Sequence, residues 1–196
     1  MVGLGNPGDD YAATRHNAGF RVVEGLAKEE GISLRSREAQ SRVGRGKIAG
    51  VPALLALPQT YMNASGSAVS ALCQKNGVDP ADLCVVVDEI ALPLGALRLR
   101  ARGSAGGHRG LQSIIAGIGP EFPRLRVGIR GTRYSAENDL ADYVLAPFAR
   151  GEREAYEQAV ALAVEALRLW LTSGIDAAMR RANVRLSSPG GASDPD

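Results

Sequence analysis

The chain is 196 residues long, 45% hydrophobic and 22% charged, with a formal net charge of +2, which are ordinary values for a one-domain globular protein. This composition excludes wholesale disorder, and the length allows a core that needs neither disulfides nor a metal ion. No apolar run approaches the roughly 18 residues of a membrane span. The chain does not open with a signal-peptide pattern, and Cys73 and Cys84 stand at no metal or redox spacing, so we expect a cytoplasmic protein.

Strand and helix patterns alternate along the whole chain, which predicts an α/β domain. In chain order they predict a strand over 2–4, a helix ending near 31, a hairpin of strands over 41–49 and 51–57, a helix over 64–74, strands over 83–87 and 95–101, a helix over 111–118, a strand over 125–129, and helices over 150–172 and 175–183. We expect a single-domain α/β/α sandwich over residues 1–186, with a mixed, mostly parallel central sheet. The polar residues 187–196 are expected to form a disordered tail.

The charge is distributed unevenly along the chain. Residues 95–133 carry eight arginines and one glutamate, whereas residues 1–94 have a net charge of −1 and residues 134–196 a net charge of −4. Twenty of the 23 basic residues are arginine, whose guanidinium can bind phosphate through two parallel hydrogen bonds. Such a cluster is typical either of a solvated basic face or of a surface for nucleic acid or another polyanion.

Polar side chains follow three of the predicted apolar strands. The first strand leads to Asn6, the second strand of the hairpin leads to Asn63, and the buried strand over 83–87 leads directly to Asp88. If these strands run parallel, the three side chains meet at the carboxyl edge of the sheet, where open α/β folds place their sites. His16 lies in the connection after the first strand and can reach the same edge. The pattern therefore predicts one cleft that contains all four residues.

These residue types suit hydrolysis. The neutral imidazole of His16 can take a proton from water, and a carboxylate such as Asp88 can fix its tautomer and stabilise the imidazolium. The amides of Asn6 and Asn63 can donate hydrogen bonds to a carbonyl or a developing oxyanion. The sequence contains no Gly-x-Ser-x-Gly or His-Glu-x-x-His motif and predicts no zinc site. A structural histidine remains the alternative, and water activated by a general base is the predicted mechanism.

Two glycine-rich segments each have two interpretations. Residues 3–8 match the dinucleotide pattern Gly-x-Gly-x-x-Gly, but no helical pattern begins within them, which favours a tight turn that exposes Asn6. Residues 103–110 precede a helix among the arginines, which favours phosphate binding over simple capping by Ser104. Tyr11 and Tyr61 flank the predicted cleft in sequence, and each can stack on a base or ribose or be partly buried in the core.

Five motifs in order resemble those of the bacterial-type peptidyl-tRNA hydrolases. They are GLGNPG and TRHNAG within 3–19, PQTYMNASG at 58–66, DE and LPLG within 88–95, GSAGGHRG at 103–110 and FPRLRVGI at 122–129. The similarity extends to about residue 183. It implies a monomeric α/β hydrolase without a cofactor or metal, which binds the acceptor end of peptidyl-tRNA. It also implies cleavage of the ester between peptide and tRNA, which recycles peptidyl-tRNA lost from translation.

The resemblance also implies roles for individual residues. His16 is the base, Asp88 supports it, and Asn6 helps the enzyme to distinguish peptidyl-tRNA from aminoacyl-tRNA, which has a free amine. The implied substrate-binding and tRNA-binding residues are Tyr11, Tyr61, Met62, Asn63, Arg109, Arg100 and Arg126, the last two as phosphate clamps. Arg109 stands where the family usually has asparagine. Because arginine only donates hydrogen bonds, this position favours contact with phosphate or carbonyl oxygens.

Two other functions compete with this interpretation. A non-catalytic RNA-binding module could share the scaffold, but the joint presence of His16, Asp88, Asn6 and Asn63 favours the enzyme. A dinucleotide-dependent oxidoreductase is supported only by the glycines at 3–8.

Overall fold

The computed structural model describes residues 1–132, 134–135 and 139–184, which form a seven-stranded sheet with helices on both faces. The strands are β1 (Val2–Gly3), β2 (Ser36–Glu38), β3 (Ser41–Ile48), β4 (Val51–Pro58), β5 (Val85–Pro93), β6 (Leu97–Arg100) and β7 (Arg124–Arg130). The helices are α1 (Ala18–Glu29), α2 (Ser65–Asn76), α3 (Arg109–Ile118), α4 (Leu140–Leu145) and α5 (Arg153–Ala182). No helix in this part of the chain is long and apolar enough to cross a membrane. The tail expected at 187–196 lies outside the described residues.

The sheet has a parallel centre and antiparallel edges. Its strand order is β2-β3-β4-β1-β5-β7-β6, and the four strands β4, β1, β5 and β7 run parallel. The outer strands pair antiparallel: β2 with β3, β3 with β4, and β6 with β7. The predicted mixed sheet of an α/β domain is confirmed. Because β4, β1 and β5 are direct neighbours, the chain segments that follow their carboxyl ends lie at one edge of the sheet.

Two hydrophobic cores fill the space between the sheet and its helices. Val86 of β5 packs with residues of α1 and α5 on one face, whereas Val85 and Val87 pack with α2 and α3 on the other. Side chains of a strand alternate between faces, so a strand covered on both sides consists of consecutive apolar residues. This explains the uninterrupted apolar run in the sequence before Asp88.

Two features of the fold differ from the predicted elements. The strand β2 was not predicted, since its residues are polar and it lies at the sheet edge, where no alternating apolar pattern is required. The helix α4 has only six residues, too few for an apolar stripe, although Asp139 caps its first N–H groups. The two predicted carboxyl-terminal helices are present as the two parts of α5, which meet at a kink at Gly174, whose φ is 80°.

The amino end of α1 comes unusually close to the central strands. A β-carbon on Gly19 would lie 2.2 Å from the carbonyl oxygen of Val86, and one on Gly3 would lie 2.2 Å from the carbonyl oxygen of Gly19. Only glycine permits such a contact between backbones. The turn that precedes α1 is thereby held beside β1 and β5.

Candidate active site

His16 lies in a short 3-10 turn, Arg15–Asn17, directly before α1. The side chain of Asn17 links this turn to the loop after β1: its Oδ1 accepts from the backbone N of Asn6 at 2.8 Å, and its Nδ2 donates to the carbonyl of Asn6 at 2.9 Å. This pair of hydrogen bonds fixes the loop that carries Asn6 against the turn that carries His16.

The predicted contact between His16 and Asp88 is present. Asp88 is the fourth residue of β5 and is only 4% exposed. Its Oδ1 lies 2.8 Å from Nδ1 of His16. Because an ionised carboxylate only accepts hydrogen bonds, Nδ1 carries the proton and Nε2 is left as the basic nitrogen. This is the tautomer that base catalysis by Nε2 requires.

A second histidine, His108, contacts the same carboxylate oxygen. Its Nε2 lies 3.0 Å from Oδ1 of Asp88, and its ring centroid is 5.2 Å from that of His16. His108 is also the N-cap of α3, where its Nδ1 accepts from the backbone N of Leu111 at 3.3 Å. A backbone N–H can only donate, so Nδ1 of His108 is unprotonated and Nε2 donates to Asp88. Sequence reasoning placed His108 only within a glycine-rich loop and missed this contact.

The two histidines keep Asp88 ionised. Burial alone would raise the pKa of this carboxyl, but the charge interaction and hydrogen bond with His108, followed by those with His16, outweigh burial and hold the pKa well below its ordinary range. Asp88 is therefore a fixed negative charge and hydrogen-bond acceptor throughout the neutral pH range. It can stabilise an imidazolium at His16 without taking up the proton itself.

The potential ligand atoms of His16, Asp88 and His108 all lie within 4.8 Å of one another. A metal ion would require unprotonated nitrogens in this space. Here the two nitrogens that face Asp88 donate hydrogen bonds to it. The arrangement of donors and acceptors is therefore that of an acid–base site.

Asn6 is buried with a defined amide orientation. Its Oδ1 accepts from the backbone N of Met62 at 2.9 Å, which an Nδ2 group could not do. Within the part of the chain that the structure describes, Nδ2 of Asn6 has no hydrogen-bond acceptor, so its hydrogens remain available to a substrate.

In the segment 61–63, Met62 is buried, whereas its two neighbours are exposed. Met62 is buried with residues of α2 and α3, and a β-carbon on Gly110 would lie 2.6 Å from its sulfur. This side chain is therefore part of the hydrophobic core beneath the loop. Tyr61 is 63% exposed, and Asn63 is exposed on the 3-10 turn Met62–Ala64. Tyr11 is half-buried. The structure thus leaves Tyr61 and Asn63 accessible to a ligand.

The predicted arginines occupy different environments. Arg100 of β6 and Arg109, the first residue of α3, are exposed. The resemblance implies a phosphate clamp at Arg126, whereas the structure buries this guanidinium in an ion pair with Glu89. Its Nη2 also donates to the carbonyl of Ser104 at 2.8 Å. Arg126 therefore fixes the glycine-rich loop 103–108, and Arg100 is the accessible one of the two expected clamps.

Comparisons with known proteins agree with this geometry. The peptidyl-tRNA hydrolase family model matches residues 1–189. The peptidyl-tRNA hydrolase of Carboxydothermus hydrogenoformans is 50% identical over 184 residues, which cover 93% of this chain and 97% of the relative. That of Roseiflexus castenholzii is 49% identical over 191 residues, with 96% and 88% covered. A crystal structure of peptidyl-tRNA hydrolase from Acinetobacter baumannii has a TM-score of 0.87 and 38% identity, with 93% of this chain and 92% of that chain covered.

Proposed function

The chain belongs to the peptidyl-tRNA hydrolase family, and we propose that His16 is the general base with which it cleaves its substrate. The protein hydrolyses the ester bond between the peptide and the tRNA of peptidyl-tRNA. The observation that supports His16 is its hydrogen bond of 2.8 Å to Asp88, because this bond leaves Nε2 unprotonated. Asp88, held ionised by its two histidine partners, stabilises the charge that develops on the ring.

In the proposed reaction, His16 takes a proton from water and later returns it to the leaving oxygen of the tRNA. Nε2 of His16 takes a proton from water while the water oxygen bonds to the ester carbonyl carbon. When the tetrahedral intermediate collapses, the bond from this carbon to the ribose oxygen breaks, and the imidazolium returns the proton to that oxygen. The products are a peptide with a free carboxyl group and a tRNA with a free terminal hydroxyl. Asp88 stays ionised throughout.

Asn6 and Asn63 are proposed to position the substrate. Nδ2 of Asn6 has free hydrogens because its Oδ1 is bound to Met62 N, so it can donate to the carbonyl of the first peptide unit. A free α-ammonium group offers no acceptor at that place, which gives a physical basis for rejecting unblocked aminoacyl-tRNA. The exposed amide of Asn63 is proposed to contact the peptide backbone or the scissile carbonyl.

The acceptor end of tRNA is proposed to bind along the basic surface beside the site. In the edge strand β6, Leu97 and Leu99 are buried while Arg98 and Arg100 are exposed. Arg109 is exposed next to His108, and its guanidinium can contact a phosphate of the terminal nucleotides. The exposed ring of Tyr61, with Tyr11 as the half-buried second tyrosine, can stack on a terminal base or ribose.

We also propose that the protein acts as a monomer in the cytoplasm without a bound metal. Cys73 and Cys84 are free and buried, and burial raises the pKa of the Cys84 thiol to about 12. Unreactive free thiols are compatible with a reducing compartment. The family resemblance supports the monomer, and sedimentation of the purified protein tests it.

Replacement of His16 tests the proposed mechanism. His16→Ala removes the base, and we expect kcat for peptidyl-tRNA to fall by about 10²–10⁴ while the affinity for tRNA is largely kept. His16→Asn is the matched variant, because its amide can still donate to Asp88 but has no basic nitrogen, and the same loss of kcat is expected. Turnover close to that of the unsubstituted protein in either variant would show that His16 is not the base.

A further inference from the structure

Arg15, directly before His16, has a buried guanidinium with several partners. Its Nη1 donates to the carbonyl of Pro147 at 2.7 Å and to that of Ala146 at 3.2 Å. Its Nη2 donates to Oε2 of Glu152 at 2.7 Å, and both side chains of this ion pair are largely buried. One side chain thus joins the turn of His16 to the segment between α4 and α5, more than 130 residues away in the chain.

The groups that Arg15 contacts are themselves held in place. Its guanidinium carbon lies 4.3 Å from the centre of the Tyr143 ring, and the Tyr143 hydroxyl donates to the carbonyl of Ile129 at 3.0 Å and accepts from Gly131 N at 2.9 Å. The same Oε2 of Glu152 also accepts from Ala149 N at 2.8 Å. The partners of Arg15 are therefore fixed to the end of β7 and to the start of α5.

The turn of His16 is held on both of its flanks. Asn17 binds the backbone of Asn6 on one side, and Arg15 binds the segment before α5 on the other. His16 lies between them, with its ring against Asp88. A three-residue turn fixed at both ends allows the ring little movement relative to the carboxylate. The backbone N of Arg15 also donates to the carbonyl of Ala146 at 3.1 Å, so loss of the side-chain contacts loosens this flank without detaching it.

We propose that Arg15, together with Glu152, is a positioning residue for His16, an inference that rests on the proposed function of His16 as the base. Buried ion pairs contribute little net stability compared with apolar packing, whereas a planar guanidinium can bind several fixed acceptors at once. Arg15 uses this geometry to fix the backbone next to the reacting nitrogen. Displacement of a catalytic group by about 1 Å can lower a rate by about 10²-fold.

Conservative substitutions test this role against a purely structural one. Arg15→Lys keeps the charge but lacks the planar fork of donors that reaches Pro147 and Glu152 together, and Glu152→Gln can still accept from Ala149 N but loses the ion pair. For both we expect kcat per folded molecule to fall about 10- to 100-fold, with KM for peptidyl-tRNA changed less than about twofold. Arg21→Gln is the control, because Arg21 pairs with Glu157 at 3.2 Å and joins α1 to α5 on the exposed surface. Its kcat should be unchanged.

A double-variant cycle shows whether Arg15 acts through His16. On the His16→Asn background, Arg15→Lys should cause no further loss of the residual rate, because the residue that it positions is absent. Thermal unfolding of every variant establishes that the assays compare folded protein, and Glu152→Gln replaces Arg15→Lys in the cycle if the lysine variant does not fold. Unchanged kcat in folded variants, or the same fold loss on both backgrounds, would overturn the proposal. Absence of hydrolysis by the unsubstituted protein would instead refute the proposed function.

Discussion

One oxygen atom, Oδ1 of Asp88, accepts hydrogen bonds from both His16 and His108. The negative charge that stabilises the His16 imidazolium is therefore shared with a second hydrogen-bond donor. Arg15, on the same turn as His16, has its own charge paired with Glu152. Burial raises the pKa of Asp88, and the interaction with His108 is the largest of those that lower it.

His108→Asn isolates this effect. Asparagine is a good N-cap and can still accept from Leu111 N, but its shorter side chain does not reach Asp88. With this partner lost, burial weighs more against the charged form, and the pKa of Asp88 rises. Because the base needs an ionised Asp88, we expect the acid limb of the pH profile of kcat/KM to move to higher pH. An acid limb at the same pH in the folded variant would contradict this role of His108.

Sequence reasoning predicted the residues at strand ends but not those that depend on long loops. His16, Asp88 and Asn6 could be placed together because parallel strands bring their carboxyl ends to one edge. His108 could not be so placed, since its position depends on the loop 103–108, which is held by Arg124 and Arg126 from β7. Those contacts follow from the register of β5 and β7 and leave no pattern in the local sequence.

The helices α2 and α3 pack closely against each other, and this contact sets the distance between the segments that precede them. A β-carbon on Gly66 would lie 2.1 Å from the carbonyl oxygen of Ser113, and Gly66 N donates to the Ser113 hydroxyl at 2.9 Å. The helix α2 follows the turn that carries Asn63, and α3 begins at Arg109. The closeness of the two helices therefore brings two proposed substrate contacts to the same side of the sheet.

Two glycine-to-alanine substitutions in these helices should have opposite effects. Gly66→Ala forces the backbones of α2 and α3 apart, and we expect a loss of about 1–3 kcal/mol in the free energy of unfolding. At Gly117 of α3 a β-carbon has no neighbour closer than 3.7 Å, so Gly117→Ala should stabilise the protein by about 0.5–1 kcal/mol. Urea unfolding measures both changes. Equal stability of the two variants would show that the helices do not depend on this close contact.

Over the whole molecule, the arginine-rich segment serves two purposes. Arg98, Arg100 and Arg109 are exposed, whereas Arg124 and Arg126 are buried and bind loop carbonyls. Arg133, also in this segment, lies outside the described residues. The charge count of the sequence predicted a basic surface beside the cleft, but it could not distinguish arginines that face solvent from those that hold the loop. That distinction depends on the place of β7 inside the sheet, between β5 and β6, where its residues 124–129 are all buried.

Arg109→Ala should weaken binding of tRNA mainly through charge. Removal of one phosphate contact is expected to raise KM and to reduce the slope of log affinity against log salt concentration by about one, with kcat little changed. Arg180→Ala, which removes an equal charge from the exposed end of α5, is the control. Binding and salt dependence that match the unsubstituted protein would exclude Arg109 from the tRNA surface.

The central claim is that this molecule hydrolyses the ester of a peptide on tRNA with water activated by a protein base. The most direct measurement offers N-blocked and unblocked aminoacyl-tRNA to the pure protein in the presence of a chelator and follows the release of tRNA. We predict rapid release from the blocked substrate and very slow release from the unblocked one. Binding of the blocked substrate without release, or equal release from both, would contradict the account.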